Sequence, residues 1–245
     1  MPQRLLSIDI GNTVSKAAVY EGYARCAYAS GEELVPELLS EWKGRFGLEH
    51  AVISSVADEA RFPTGSLSRL FTLHYAKQMR NLPIRVAYRT PETLGTDRLA
   101  CMVAAAHLCP GKPVLVLQCG TCLTSDFLTA DSLYAGGGIS PGLRMRFRAL
   151  NEHTARLPLV PPDADAALYG QTTEKAIQSG VWQGYLSECE GLVQKYSSIY
   201  EGLNVIITGG DAVWVKDKLK MTIFAFPDLV LFGLMLMLKY DIEKQ

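Results

Sequence analysis

An apolar run, RLLSIDI (4–10), breaks at Gly-Asn-Thr and resumes as VSKAAVYEG (14–22), which predicts two strands joined by a tight turn. Residues 32–45 carry helical spacing, and AVISSV (51–56) and PIRVAY (83–88) have the character of short strands. PETLGTDRLACMVAAAHLCPG predicts a loop entering a helix. Leu99, Met102, Val103 and Ala106 share one face of it, and Pro110-Gly111 stops it. PVLVLQCGTCLTSDFLT then repeats the opening pattern: aligning Asp9 with Gln118 also aligns Gly11 with Gly120 and sets Thr13 opposite Cys122. This implies an internal duplication with two similar halves, 1–112 and 113–245. In the second half, the glycines of LYAGGGISPG and Pro141 predict a loop, followed by helices over 142–156 and 172–196. LNVIITGGDA predicts a strand ending in a Gly-Gly turn, and a last apolar helix is expected from about Pro227 to Lys239. Strands alternating with helices indicate an α/β protein.

Bulk properties narrow this only a little. Of 245 residues, 48% are hydrophobic and 20% charged, and the formal net charge is −1. That suits a globular protein with a substantial core and excludes a global basic field for nucleic acid. Arg144, Arg146, Arg148 and Arg156 do not change this, because residues two apart point away from each other on a helix. The longest apolar run, LVLFGLMLML, is far shorter than the roughly 20 residues of a membrane span, and the N-terminus reaches polar turn chemistry too early for a signal peptide. A cytoplasmic protein with reduced cysteines is therefore expected. Cys119 and Cys122 have redox or half-zinc spacing, yet they lie inside a strand-like run rather than at the start of a helix. Filling in a tight sheet is the simpler role.

Four turns follow strands and carry small polar residues: DIGNT, SSVA, QCGT and TGGDA. Each alone can be a plain hairpin. Together they suit a nucleotide, since glycine lets backbone N–H groups approach phosphate oxygens. Thr13 and Thr121 add hydroxyl donors, Lys16 a point charge, and Asp9 a cation ligand, direct or through water. No P-loop pattern and no Gly-x-Gly-x-x-Gly after a strand is present. Asp97-Arg98 has two readings: a helix-start charge with a solvated arginine, or a carboxylate that accepts a substrate proton beside an arginine that steadies transferred charge.

DIGNTVSK, ISSV, TPETLGTDR, GTCLTSD, YAGGGISPGLRM, TARLP, TTEKAIQSG and ITGGDA follow one another in this order. The set resembles type III pantothenate kinases, of the acetate and sugar kinase, Hsp70 and actin superfamily, over residues 5 to about 215. The resemblance implies two ribonuclease-H-like (actin-like ATPase) halves with ATP in an interdomain cleft, and phosphorylation of pantothenate to 4′-phosphopantothenate. It implies a first phosphate motif at Asp9, Gly11, Asn12, Thr13 and Lys16, a second at Gly120, Thr121 and Thr124, and an adenosine turn at Gly209 and Gly210. It further implies Asp97 as general base with Arg98 beside it, pantothenate contacts at Tyr88 and Gly95, and Thr173 reaching the substrate from the other subunit of a homodimer. ATP with Mg2+ and a monovalent cation, K+ or NH4+, are the implied cofactors. Gln118 departs from the family, which usually has Asp there and associates it with the cation; glutamine keeps an oxygen but lacks the charge. Two alternatives follow: a nucleotide-binding regulator with weak or no kinase activity, or a kinase for another small hydroxylated acid.

Overall fold

The computed structural model describes residues 3–11, 13–31, 34–55, 64–219 and 223–244. Asn12 of the first turn and Val56 and Ala57 of SSVA lie outside them. The chain forms two compact units, one of residues 1–110, 132–134 and 228–245, the other of 111–131 and 135–227.

The first unit is built on a five-stranded sheet in the order β3-β2-β1-β4-β5. Its strands are β1 (Arg4–Ile10), β2 (Ser15–Glu21), β3 (Ala24–Ser30), β4 (His50–Ser55) and β5 (Thr72–Tyr75). β1 runs antiparallel to β2 and parallel to β4, and is buried along most of its length. A strand covered on both faces carries a near-continuous apolar run, which is why RLLSIDI stands out in the sequence. β3 is mostly exposed, and its ARCAYAS has little apolar signal; sequence patterning misses it. α1 (Pro36–Phe46) opens with Pro at its start and ends at Gly47, whose φ of 63° is left-handed, and it buries Leu39 and Trp42. α2 (Thr64–Leu70) leads into β5. PIRVAY contracts to the two-residue β6 (Arg85–Val86), which pairs with Leu133 and Tyr134. α3 (Thr96–Leu108) follows.

The second unit repeats the pattern with β7 (Val114–Cys119), β8 (Cys122–Leu128), β9 (Leu133–Pro141), β10 (Asn204–Thr208) and β11 (Phe224–Ala225), in the order β9-β8-β7-β10-β11. β7 is antiparallel to β8 and parallel to β10. Apart from β6, which adds a sixth strand beyond β9, this sheet has the strand order of the first, and its β7–β8, β7–β10 and β10–β11 pairings run in the same directions as β1–β2, β1–β4 and β4–β5. α4 (Leu143–Glu152), α5 (Thr173–Ile199) and the short α6 (Ala212–Val215) complete it.

Two expectations are corrected. The glycine-rich stretch 136–138 is not a loop but part of β9. A Cβ at Gly137 would lie 2.1 Å from the Ser125 carbonyl oxygen and 2.4 Å from Asp126 Oδ1, so these glycines let β9 lie close against β8. The final helix, α7 (Leu229–Glu243), does not belong with the second half, as a division at residue 112 requires; it packs in the first unit against α3, β1 and β4. Gly233 makes this possible: a Cβ there would meet the Ala100 carbonyl oxygen at 1.9 Å. Leu229, Leu231, Leu234, Met235, Met237 and Leu238 are almost fully buried, so α7 is a core helix with apolar residues on nearly every side.

Candidate active site

Asp9 sits one residue from the end of β1. Antiparallel pairing puts Lys16 of β2 opposite it, and parallel pairing puts Ser54 of β4 beside it. The Asp9 carboxyl is pushed up from 3.8 to about 7, first by burial and then by the negative charge of Asp97. The Ser54 hydroxyl and the Lys16 ammonium pull the other way. Asp9 Oδ1 is buried and has no hydrogen-bond partner among the described residues. A buried carboxylate oxygen without a donor, within the field of a second carboxylate, has the chemistry of a divalent-cation ligand.

Asp97 lies in the first turn of α3, where the helix end favours negative charge. Gly95 precedes the helix, and a Cβ there would lie 2.5 Å from Asp97 Oδ1, so glycine leaves room for the carboxylate to fold back over the helix start. The solvated-arginine reading fails: Arg98 is 5% exposed, with its guanidinium 5.7 Å from the centre of the Tyr88 ring. Tyr88 in turn stacks on Tyr134 at 6.2 Å. The first unit therefore brings together Asp9, Lys16 and Asp97, and separately Arg98 and Tyr88. Gly11 and Thr13 occupy the turn between β1 and β2.

In the second unit Gln118 takes the place of Asp9. Thr124 of β8 is opposite it and Thr208 of β10 beside it. The Gly120 N–H donates to the Cys122 carbonyl at 3.0 Å, closing the turn that contains Thr121. Thr124 is buried and donates to Asp126 Oδ2 at 3.1 Å. Gly209 has φ 94°, and its Cβ would lie 2.2 Å from the Cys119 carbonyl oxygen, which also accepts the Asp211 N–H at 3.0 Å. Only glycine fits such a left-handed contact of backbone on backbone. Gly210, next to it, faces open space. Cys119 is fully buried against Cys189 and Tyr185, whereas Cys122 is half-buried. Thr173 stands apart from these turns, exposed in the first turn of α5, which Thr172 caps by accepting the Lys175 N–H at 3.2 Å.

Sequence reasoning missed Ser54 and Thr96, whose hydroxyls meet at 2.6 Å, and Gly142, whose Cβ would lie 2.2 Å from the Gly120 carbonyl oxygen. It also missed Arg144, which pairs with the buried Asp211 beside the Gly-Gly turn at 3.4 Å. Of these, Thr96 carries a sequence signal in its place next to Asp97 at a helix start, and Ser54 one in the SSVA turn after its strand.

Comparison with known proteins agrees with this picture. A family model described as type III pantothenate kinase matches residues 5–195. A type III pantothenate kinase of Phocaeicola vulgatus is 41% identical over 237 residues, covering 96% of this chain and 98% of its own. That of Cytophaga hutchinsonii is 37% identical over 235 residues, covering 96% and 98%. Among solved structures, a Campylobacter jejuni protein assigned to the Baf family of transcriptional activators superposes with a TM-score of 0.61 at 19% identity, over 97% of this chain and 99% of that one. A Sinorhizobium meliloti protein assigned as a 2-dehydro-3-deoxygalactonokinase gives 0.57 at 14%, over 96% and 98%. These distant structures establish the fold alone, an α/β architecture with two mixed sheets. On the family match and the near-full-length identity, the chain belongs to the type III pantothenate kinase family.

Proposed function

We propose that the chain transfers the terminal phosphoryl group of ATP to the primary hydroxyl of pantothenate, the first step of coenzyme A synthesis, with Asp97 and Asp9 in separate roles. The observation that carries the assignment is a buried Asp9 oxygen without a partner, beside the second carboxylate of Asp97 and opposite Lys16. Two carboxylates in one environment divide into a cation ligand and a proton acceptor when a cation neutralises one of them. Asp9 fits the ligand role, and Mg2+ there would supply charge neutralisation for the phosphates of ATP. Lys16 adds a further positive charge on the same side.

Asp97 holds the pantothenate hydroxyl and takes its proton late. A carboxylate is a weak base towards an alcohol, so general-base help contributes only about 10²–10⁴-fold. The larger part of the barrier reduction comes from alignment and charge stabilisation. Arg98, held by Tyr88, steadies the acceptor side, and Tyr88 and Gly95 contact pantothenate. Gly11, Asn12 and Thr13 serve the phosphates, as do Gly120, Thr121 and Thr124, while Gly209 and Gly210 admit the adenosine.

Gln118 makes the monovalent-cation site weaker than a carboxylate would, and we expect a shallow response to K+ or NH4+. The homodimer is supported by α5. Gly180 and Gly184 lie in its middle, where glycine costs about 1 kcal/mol each relative to alanine, and a Cβ on either would meet no atom of another element within 4 Å among the described residues. They line an apolar groove of about 900 Å³ together with Thr173, Ala176, Ile177 and Val181. A second copy of α5 would account for the glycines and bring Thr173 to the other subunit's substrate. No described helix is long and apolar enough to cross a membrane.

The test is pantothenate-dependent ADP release by the purified protein in a coupled assay. Turnover with pantothenate and none without it supports the assignment. ATP binding without turnover would favour the regulator, and turnover only with another hydroxy acid would move the acceptor.

A further inference from the structure

Ser54 and Thr96 come from different elements and are both buried, at 1% and 6% exposure. Ser54 ends the apolar part of β4, and Thr96 is the first residue of α3. Their hydroxyl oxygens are 2.6 Å apart, a short hydrogen bond. The N-cap of α3 is Gly95, which has no side chain to accept from the helix's free N–H groups. Here α3 has no side-chain cap, and the Thr96 hydroxyl points sideways into Ser54.

The proton inventory gives this contact a direction. Ser54 also hydrogen-bonds the Asp9 carboxyl, and an ionised carboxylate only accepts. Ser54 has one hydroxyl proton, so when Asp9 is ionised, as a cation ligand must be, Ser54 donates to Asp9 and accepts from Thr96. The chain Thr96 to Ser54 to Asp9 is then fully satisfied. It ties β1, which carries the cation ligand, to the residue next to Asp97, which carries the proton acceptor.

We propose that Ser54 and Thr96 are positioning residues for phosphoryl transfer, their paired hydroxyls fixing the start of α3, and with it the Asp97 carboxylate, relative to Asp9. This rests on the kinase reading above. Neither residue touches the reacting atoms; each acts through a carboxylate. Misplacing a catalytic group by about 1 Å costs on the order of 10²-fold in rate without removing any substrate contact. The signature is therefore a loss in kcat with KM for ATP and for pantothenate nearly constant.

The experiment compares Thr96→Val, Thr96→Ser, Ser54→Ala and the Ser54→Ala/Thr96→Val double variant in steady-state assays of the full-length protein, with thermal unfolding recorded for each. Thr96→Val keeps the shape and deletes the hydroxyl, and kcat should fall about 10- to 100-fold with both KM values within about threefold. Thr96→Ser should restore kcat to within about threefold of wild type. The double variant should be no worse than the poorer single one, since both changes break the same link. Wild-type kcat in Thr96→Val overturns the proposal, and so does equal loss in Thr96→Ser and Thr96→Val, or losses that multiply in the double variant. Should Thr96→Val fail to fold, Ser54→Ala, which removes one oxygen, gives the same reading through its kcat and KM. A wild-type protein without pantothenate-dependent turnover overturns the kinase assignment itself, and this proposal with it.

Discussion

The two strand–turn–strand units share a register and differ in charge. In the first, Asp9 faces Lys16 and lies beside Ser54; in the second, the same three places hold Gln118, Thr124 and Thr208. The turn between paired residues spans 11–14 in the first and 120–122 in the second. One strand pattern thus carries two different sets of side chains. The charged copy has a buried carboxylate oxygen without a donor and a nearby carboxylate at a helix start, which suits a cation and a proton. The second copy has hydroxyls, an amide and backbone N–H groups at these places, packed through glycines, and its carboxylate, Asp126, lies two residues along β8 and accepts from Thr124.

The sharpest way to break the comparison is to neutralise the charged copy. Asp9→Asn should lower kcat about a thousandfold, because one charge about 4 Å from a cation is worth roughly 4 kcal/mol at an effective dielectric near 20. A small loss would mean that the cation is held elsewhere. Next is the backbone contact of the second copy. Gly209→Ala should lower stability by about 2–3 kcal/mol in denaturant unfolding, since it opposes both the φ of 94° and the Cys119 carbonyl. Giving the second copy the charge of the first tests the asymmetry from the other side: Gln118→Asp should steepen the potassium response of kcat by about tenfold, or about 1.4 kcal/mol. No change would show that position 118 does not face the monovalent ion.

A smaller effect concerns proton balance in the protein without nucleotide or metal. The folded state holds the Asp9 proton up to about pH 7, whereas the unfolded chain releases it near 3.8. Between those values the folded form binds more protons, so this group's contribution to stability falls as pH rises and levels off above about 7. Asp9→Asn removes that decline, and unfolding midpoints of the two proteins should diverge in favour of the variant from acid to neutral pH. On the proposed reading, the proton released makes way for the cation, and the carboxylate's burial is a cost to the fold.

The contrast also explains what the sequence could disclose. The central strands of both sheets were legible because burial on both faces leaves unbroken apolar runs, as in RLLSIDI and PVLVL. The edge strand β3 was not, since a mostly exposed strand needs no such pattern. β9 was hidden by its glycines, which in composition resemble a loop and in space let two strands approach closely. α7 is legible as a helix but not as part of the first unit, because nothing in an all-round apolar helix says which core it fills; its partner is set by Gly233 against Ala100. Candidate site residues within motifs, such as Asp9, Lys16 and Asp97, were identifiable from their turns. The link between Ser54 and Thr96 was not, because it is a contact across 42 residues.

On the proposed reading, Asp97 accepts the substrate proton while other residues hold ATP. The most direct measurement is pantothenate-dependent ADP release by Asp97→Asn alongside calorimetric ATP binding. The account predicts a fall in kcat of about 10²–10⁴-fold with ATP affinity within about threefold of wild type. Turnover by Asp97→Asn at the wild-type rate would contradict it.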